Sequence, residues 1–145
     1  MPLFSRHVTV DWNGPLKEGS GSAKAGSGAF EVPVSFLRRI GEPEGTTSPE
    51  ELIAAAHASC YAMALNATVG RKGGAIAKTH VTATVVANFD QGIKIQASNL
   101  EVVAEGLTGI DPATFADVAK EAEGGCPVSN ALRGSLSIDV KASVK

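Results

Sequence analysis

At 145 residues, with 43% hydrophobic residues and a formal net charge of −2, the chain is large and apolar enough for one folded domain core. It has no surplus of cations for a polyanion, which argues against nucleic acid as a partner. Residues 1–9 contain Pro2, Ser5, Arg6 and His7 and no apolar run of signal-peptide length, so the chain reads as cytoplasmic. Residues 6–12 (RHVTVDW) alternate as a strand, and Trp12-Asn13-Gly14-Pro15 is a turn signal. The Gly/Ser-rich stretch 17–28 predicts a short strand or loop, and residues 29–36 a third strand in which Pro33 marks an edge position or an irregularity. Together these predict a β-meander. Leu37-Arg38-Arg39-Ile40 and a Pro/Gly loop over 41–47 lead into the most informative stretch of the chain.

That stretch is Ser48 to Gly70, SPEELIAAAHASCYAMALNATVG. Ser48 suits the N-cap, Pro49 the first helical position, and Glu51 the third position of a capping box. Between Leu52 and Val69 there is no Asp, Glu, Lys or Arg. Leu52, Ile53, Ala56, Cys60, Met63, Ala64 and Ala67 recur at helical spacing, which predicts a helix packed nearly all round. Gly70 is expected to end it, with Arg71 and Lys72 at the negative end of its dipole. The run is about long enough to cross a bilayer, but its Ala content and His57, Ser59, Asn66 and Thr68 predict a protein environment and no membrane.

After Gly73-Gly74 the period changes to two. Residues 80–89 and 93–104 predict two long antiparallel strands joined at Asp90-Gln91-Gly92. Asp111-Pro112 opens a second helix, to about Glu123, with Phe115, Val118 and Ala119 as its apolar stripe. Cys126 then precedes Pro127, at or beside the N-cap of a short helix reaching about Arg133, and residues 135–144 alternate as a last strand. The order predicts an α+β fold with antiparallel β-sheets packed around a long central helix that carries Cys60. With no repeat or second composition regime, residues 1–145 are expected to form a single domain.

The two cysteines, Cys60 and Cys126, would be reduced in the cytosol or oxidised only transiently. A buried apolar site raises a thiol's pKa, so Cys60 needs a cation or directed donors to act as a nucleophile. A mid-helix position supplies no dipole; His57, one turn earlier, and the Arg38/Arg39 pair are the available groups. An inert buried cysteine is the competing reading, as is a plain cap residue for Cys126, although a helix N-terminus favours a thiolate there. His57 is read most simply as a satisfied buried imidazole. A zinc site would have to combine Cys60, His57 and Cys126 with His7 or His80, and no C-x-x-C knuckle supports it. The expectation is no metal.

Residues 48–60, SPEELIAAAHASC, together with Gly125-Cys126-Pro127-Val128-Ser129-Asn130-Ala131-Leu132, resemble the OsmC/Ohr family of thiol-dependent hydroperoxide reductases. The likeness extends to the early strands, the arginine before a Gly/Pro/Glu loop, the opening Ile110-Asp111-Pro112-x-x-Phe115 and the terminal strand. His57 and Cys126-Pro127-Val128 favour the OsmC branch. The resemblance implies a peroxidatic Cys60 and a resolving Cys126. It also implies an active-site arginine matched by Arg39, with Arg38 as competitor, and Glu50 as the carboxylate that holds it. It further implies organic hydroperoxide as substrate, hydrogen peroxide as a second one, an external dithiol as reductant, no bound cofactor, and an intertwined homodimer. Ile53, Met63, Phe36 and Leu37 could bury a substrate's alkyl tail, with core packing the competing role, favoured for Met63. Glu50 and Cys60 lie ten positions apart, about 15 Å along a helix, which one arginine can hardly bridge. Arg39 and Glu50 are therefore expected to meet Cys60 of a partner chain. The alternative to an enzyme is a stress-induced redox-sensing or binding protein of the same fold.

Overall fold

The computed structural model describes residues 2–145, which divide into two compact units, 2–49 and 50–145. In the first unit, β1 (Val8–Asn13), β2 (Ser20–Ala25) and β3 (Glu31–Val34) form the antiparallel meander in that order. Pro33 sits on β3, an edge strand, where its missing N–H costs the ladder least. The register pairs Val8 with Ala25, Val10 with Ala23 and Trp12 with Gly21, and Ala23 pairs with Val32 on the other side. These residues share one sheet face, because side chains alternate along a strand. Gly21 keeps that face flat: a Cβ there would stand 2.9 Å from the Trp12 ring and 2.7 Å from the Asp11 carbonyl oxygen. Yet Val8, Val10 and Trp12 are all exposed.

A short helix not expected from the sequence follows, α1 (Phe36–Ile40). The Ser35 hydroxyl caps it by accepting from the Arg38 N–H at 3.3 Å, and the Gly41 N–H returns to the Leu37 carbonyl. Five residues are too few for periodicity to reveal. Arg38 reaches into the following loop, where it pairs with Glu44 at 2.7 Å and donates to the Glu42 carbonyl at 3.3 Å.

The second unit is built on α2 (Pro49–Arg71), which begins at the predicted proline. It ends at Arg71, one residue beyond the predicted Gly70, and its left-handed cap is Gly73. The Gly74 N–H bonds the Val69 carbonyl and the Gly73 N–H the Gly70 carbonyl, with Gly73 at φ +82, which is the Schellman pattern. No neighbour lies within 4 Å of a Cβ built on Gly73, so Gly73→Ala should cost only its left-handed backbone, about 1 kcal/mol. Chemical denaturation measures this; an unchanged midpoint would contradict it.

Within one chain the helix buries one face, where the sequence predicted packing nearly all round. His57, Tyr61, Leu65, Thr68 and Val69 are its buried residues, whereas Met63 is 73% exposed and Ala56 and Ala67 are also exposed. The bulky side chains at 61, 65 and 69 take the sheet side, where each fully buried Leu or Val contributes about 1.5–3 kcal/mol. The exposed line Ala56, Ser59, Met63, Ala67 and Gly70 carries no charge. By length and composition α2 could cross a bilayer, and 28% of its most apolar stretch is buried.

β4 (Ala75–Asp90) and β5 (Gly92–Thr108) form the predicted hairpin, longer at both ends than alternation suggested, with an irregularity between Val86 and Ala87. A 3-10 turn at Pro112–Thr114, capped by Asp111, leads into α3 (Phe115–Gly124). Phe115, Val118, Ala119 and Ala122 are its buried stripe. Next come α4 (Pro127–Leu132), with Cys126 as N-cap, and β6 (Ser137–Val144). β6 joins β5 in parallel, giving the order β4-β5-β6. The expectation of wholly antiparallel sheets is corrected here. The two helices carry the chain back along the sheet, so β6 starts beside the beginning of β5 and runs with it. Tyr61, Leu65 and Val69 meet Leu100, Val102 and Ala104 of β5 and Phe115, Ala119 and Ala122 of α3 in one core. Tyr61 brings its hydroxyl into that core and donates it to the Ala119 carbonyl at 2.7 Å.

Candidate active site

Both cysteines belong to the second unit and both are free thiols, Cys60 half-buried on α2 and Cys126 fully buried. Cys60 packs against the core that contains Cys126, close enough for the two sulfurs to act on each other, so the fold brings together two residues that the sequence placed far apart. The local reason is the start of α4. Cys126 is the N-cap and Pro127 occupies N1, which has no N–H to offer. The next two backbone donors, Val128 and Ser129, have no helical partner. The Ser129 N–H points at Cys126 Sγ at 3.5 Å, and the Val128 N–H faces the Cys60 sulfur.

Burial pushes the Cys60 thiol up from its ordinary value, while the Val128 N–H opposes the rise. Cys126 adds to it, by bonding the protonated thiol and by repulsion between sulfurs if both ionise. The mid-helix position of Cys60 therefore does receive help from a helix terminus, that of α4 and not its own. The side-chain pattern did not reveal this donor, because it is a backbone group. The signal present was Cys-Pro at a helix start, which leaves the first-turn N–H groups beside a sulfur.

His57 lies one turn before Cys60 and is fully buried. Its Nδ1 is 2.6 Å from Ser98 Oγ on β5 and its Nε2 is 2.7 Å from Ser129 Oγ on α4. Burial lowers its pKa, with only a partial counter-effect from Glu123, so the imidazole is neutral at physiological pH. It cannot be the cation that activates Cys60. Among the described residues no group of three or more His, Cys, Asp or Glu side chains is placed to hold a metal ion.

Glu123, at the end of α3, faces Arg133 just beyond α4. Arg133 Nη2 lies 3.0 Å from each carboxylate oxygen; Oε2 receives the aligned hydrogen bond, and Oε1 is buried without one. Asn130 adds a bond from its amide to the Gly124 carbonyl at 3.1 Å. α4 is thus pinned on its outer side as well as through His57. Serines 98 and 129 and Glu123 were absent from the sequence-derived site.

Glu50 is the second residue of α2, about 15 Å along the helix from Cys60 at 1.5 Å per residue, so the structure does not bring these two together. Arg39 lies in α1, in the first unit. Of the residues considered for a substrate tail, Met63 and Leu37 are exposed and Phe36 and Ile53 half-buried. The core role favoured for Met63 does not hold within one chain.

Comparison with known proteins identifies the family of the chain. A family model described as OsmC-like protein matches residues 41–141. Peroxiredoxin OsmC of Escherichia coli is 37% identical over 130 residues, covering 88% of this chain and 90% of that protein. The organic hydroperoxide resistance protein OhrA of Bacillus subtilis is 33% identical over 115 residues, covering 77% and 78%. The greater identity and span of the OsmC relative agree with the branch suggested by His57 and Cys126-Pro127-Val128. The crystal structure of an organic hydroperoxide resistance protein from Elizabethkingia anophelis superposes with a TM-score of 0.75 over 99% of each chain at 24% identity, which shows the shared fold. On the family match and the OsmC relative together, the chain belongs to the OsmC-like protein family.

Proposed function

We propose that the protein is a cytoplasmic thiol peroxidase that reduces organic hydroperoxides, and hydrogen peroxide, to alcohol and water. The observation that carries this reading is the packing of half-buried Cys60 against the core that holds Cys126, the buried N-cap of α4, in a chain related to a protein named peroxiredoxin OsmC. The Cys60 thiolate attacks the terminal peroxide oxygen, the O–O bond breaks, the alkoxide takes a proton and leaves as alcohol, and Cys60 becomes a sulfenic acid. Cys126 then attacks the sulfenic sulfur. The S–S bond forms, the S–O bond breaks, and the hydroxyl leaves with the Cys126 proton as water. An external dithiol returns both thiols by exchange. No step draws on a cofactor.

Within one chain, burial keeps the Cys60 thiol high, so a cation is needed. We assign this to Arg39, braced by Glu50, both supplied to Cys60 by a second copy. Two observations support that assignment. Glu50 is too far along α2 to share an arginine with its own Cys60. The uncharged outer line of α2 and the exposed apolar face of β1 are surfaces that a second copy, and not a membrane, would cover. In this reading the two units work as one domain within an intertwined homodimer.

Two experiments test it. Arg39→Ala should move the pH midpoint of Cys60 alkylation upward by about 1–3 pH units, because the thiolate loses its counter-charge; iodoacetamide kinetics on Cys126→Ser backgrounds measure this, and an unmoved midpoint would reject Arg39 as the activating cation. Mixing Arg39→Ala subunits with Cys60→Ser subunits should restore peroxidase activity, since each mixed dimer then has one intact shared site. Restoration fails if each arginine serves its own chain.

A non-enzymatic redox sensor would show the same oxidation without turnover. Sustained consumption of cumene hydroperoxide with reduced lipoamide or dithiothreitol distinguishes the two: the peroxidase reading expects many turnovers, and a single equivalent consumed per chain would favour the sensor.

A further inference from the structure

His57 connects the helix that carries one sulfur to the helix that carries the other. It sits on α2 one turn before Cys60, and its Nε2 meets Ser129 Oγ, two residues after the Cys-Pro that opens α4. The same Ser129 gives its N–H to Cys126 Sγ, and the N–H of its neighbour Val128 faces Cys60. On the other side, Nδ1 meets Ser98 Oγ of β5, which fixes the plane of the ring against the sheet. All three side chains are completely buried, so every bond is made out of reach of water. A neutral imidazole donates from one nitrogen and accepts at the other, and two serine hydroxyls, each able to do both, satisfy it whichever tautomer is present.

We infer that His57 is a positioning residue for the second half of the proposed reaction, holding α4 so that Cys126 Sγ stays aligned on the sulfenic acid of Cys60. This rests on the peroxidase reading above and deepens it. In that step Cys126 is oxidised and the sulfenic sulfur reduced, the S–S bond replaces the S–O bond, and water leaves. The geometry supports it because α4 has only six residues, too few to hold its own orientation, and its side-chain hydrogen bonds through Asn130 to Gly124 and Arg133 to Glu123 reach only α3 and its end. The His57–Ser129 hydrogen bond ties α4 to the Cys60 helix, beside the Val128 N–H that faces Cys60. Misplacing a nucleophile by about 1 Å can slow such a condensation about a hundredfold.

The test uses the full-length protein and reads how the sulfenic acid partitions. Reduced protein is mixed with limiting tert-butyl hydroperoxide in the presence of dimedone, and mass spectrometry compares dimedone-trapped Cys60 with the Cys60–Cys126 disulfide. Wild type should give mainly disulfide. Ser129→Ala and His57→Leu should raise the trapped fraction relative to disulfide about ten- to a hundredfold. His57→Gln, which keeps a donor and an acceptor, should recover part of the wild-type ratio. Val118→Ala, a core truncation in α3 outside the network, controls for lost stability and should leave the ratio unchanged. If Ser129→Ala partitions as wild type does, or if Val118→Ala shifts the ratio equally, the positioning role is overturned. If wild type forms neither adduct nor disulfide, the peroxidase reading itself fails, a distinct outcome that removes this inference with it.

Discussion

Cys60→Ser should lower the rate of hydroperoxide reduction by at least about a thousandfold, in the range found when an enzyme loses its nucleophile. A serine hydroxyl at that position is as well placed as the thiol, but it does not ionise near neutral pH and its oxygen does not accept an oxygen atom from a peroxide. The companion variant separates the two half-reactions. Cys126→Ser should still consume one equivalent of peroxide per chain, then stall as the Cys60 sulfenic acid and pass to the irreversible sulfinic acid when peroxide is in excess. Dithiol-coupled turnover and intact mass measure the two outcomes. Full activity in Cys60→Ser would reject the mechanism, and full turnover in Cys126→Ser would reject its resolving role.

The second large effect is on stability, and it separates the two faces of α2. Leu65 is fully buried in the core against β5 and α3, so Leu65→Ala should cost about 2–5 kcal/mol. That is a large share of the roughly 5–15 kcal/mol that holds a domain together. Met63, two residues away and 73% exposed, should cost less than about 0.5 kcal/mol within a chain when truncated to Ala. Its effect should appear instead in association, because it lies on the uncharged line assigned to a second copy. Urea denaturation of both variants and sedimentation equilibrium of Met63→Ala give the readouts. Equal destabilisation by the two substitutions would mean that the buried face of α2 has been misidentified.

What was legible in the chain follows from where the determining physics lies. The start of α2 is set by Ser48-Pro49-Glu51, and the placing of Cys126 at a helix start by Gly125 and Pro127; both are local signals. The hairpin β4–β5 follows from period-two alternation and Gly92. The orientation of α2 did not follow, because an Ala-rich helix without charges has little contrast between its faces. Only packing of Tyr61, Leu65 and Val69 against the sheet selects one. The parallel pairing of β6 with β5 depends on the path of α3 and α4, which no strand pattern encodes. The same holds for the site. The cysteines were readable as residue types, but His57 finds its partners 41 and 72 positions away, at Ser98 and Ser129, and the N–H that faces Cys60 belongs to the backbone of Val128. Such groups become visible only when the chain is folded.

The central claim is that Cys60 and Cys126 form one redox pair. Reduced protein treated with one equivalent of cumene hydroperoxide, blocked with iodoacetamide and digested without reductant, should yield a single cross-linked peptide pair joining Cys60 to Cys126, with both alkylated peptides lost in parallel. Recovery of both cysteines as alkylated peptides, with the hydroperoxide unconsumed, would contradict it.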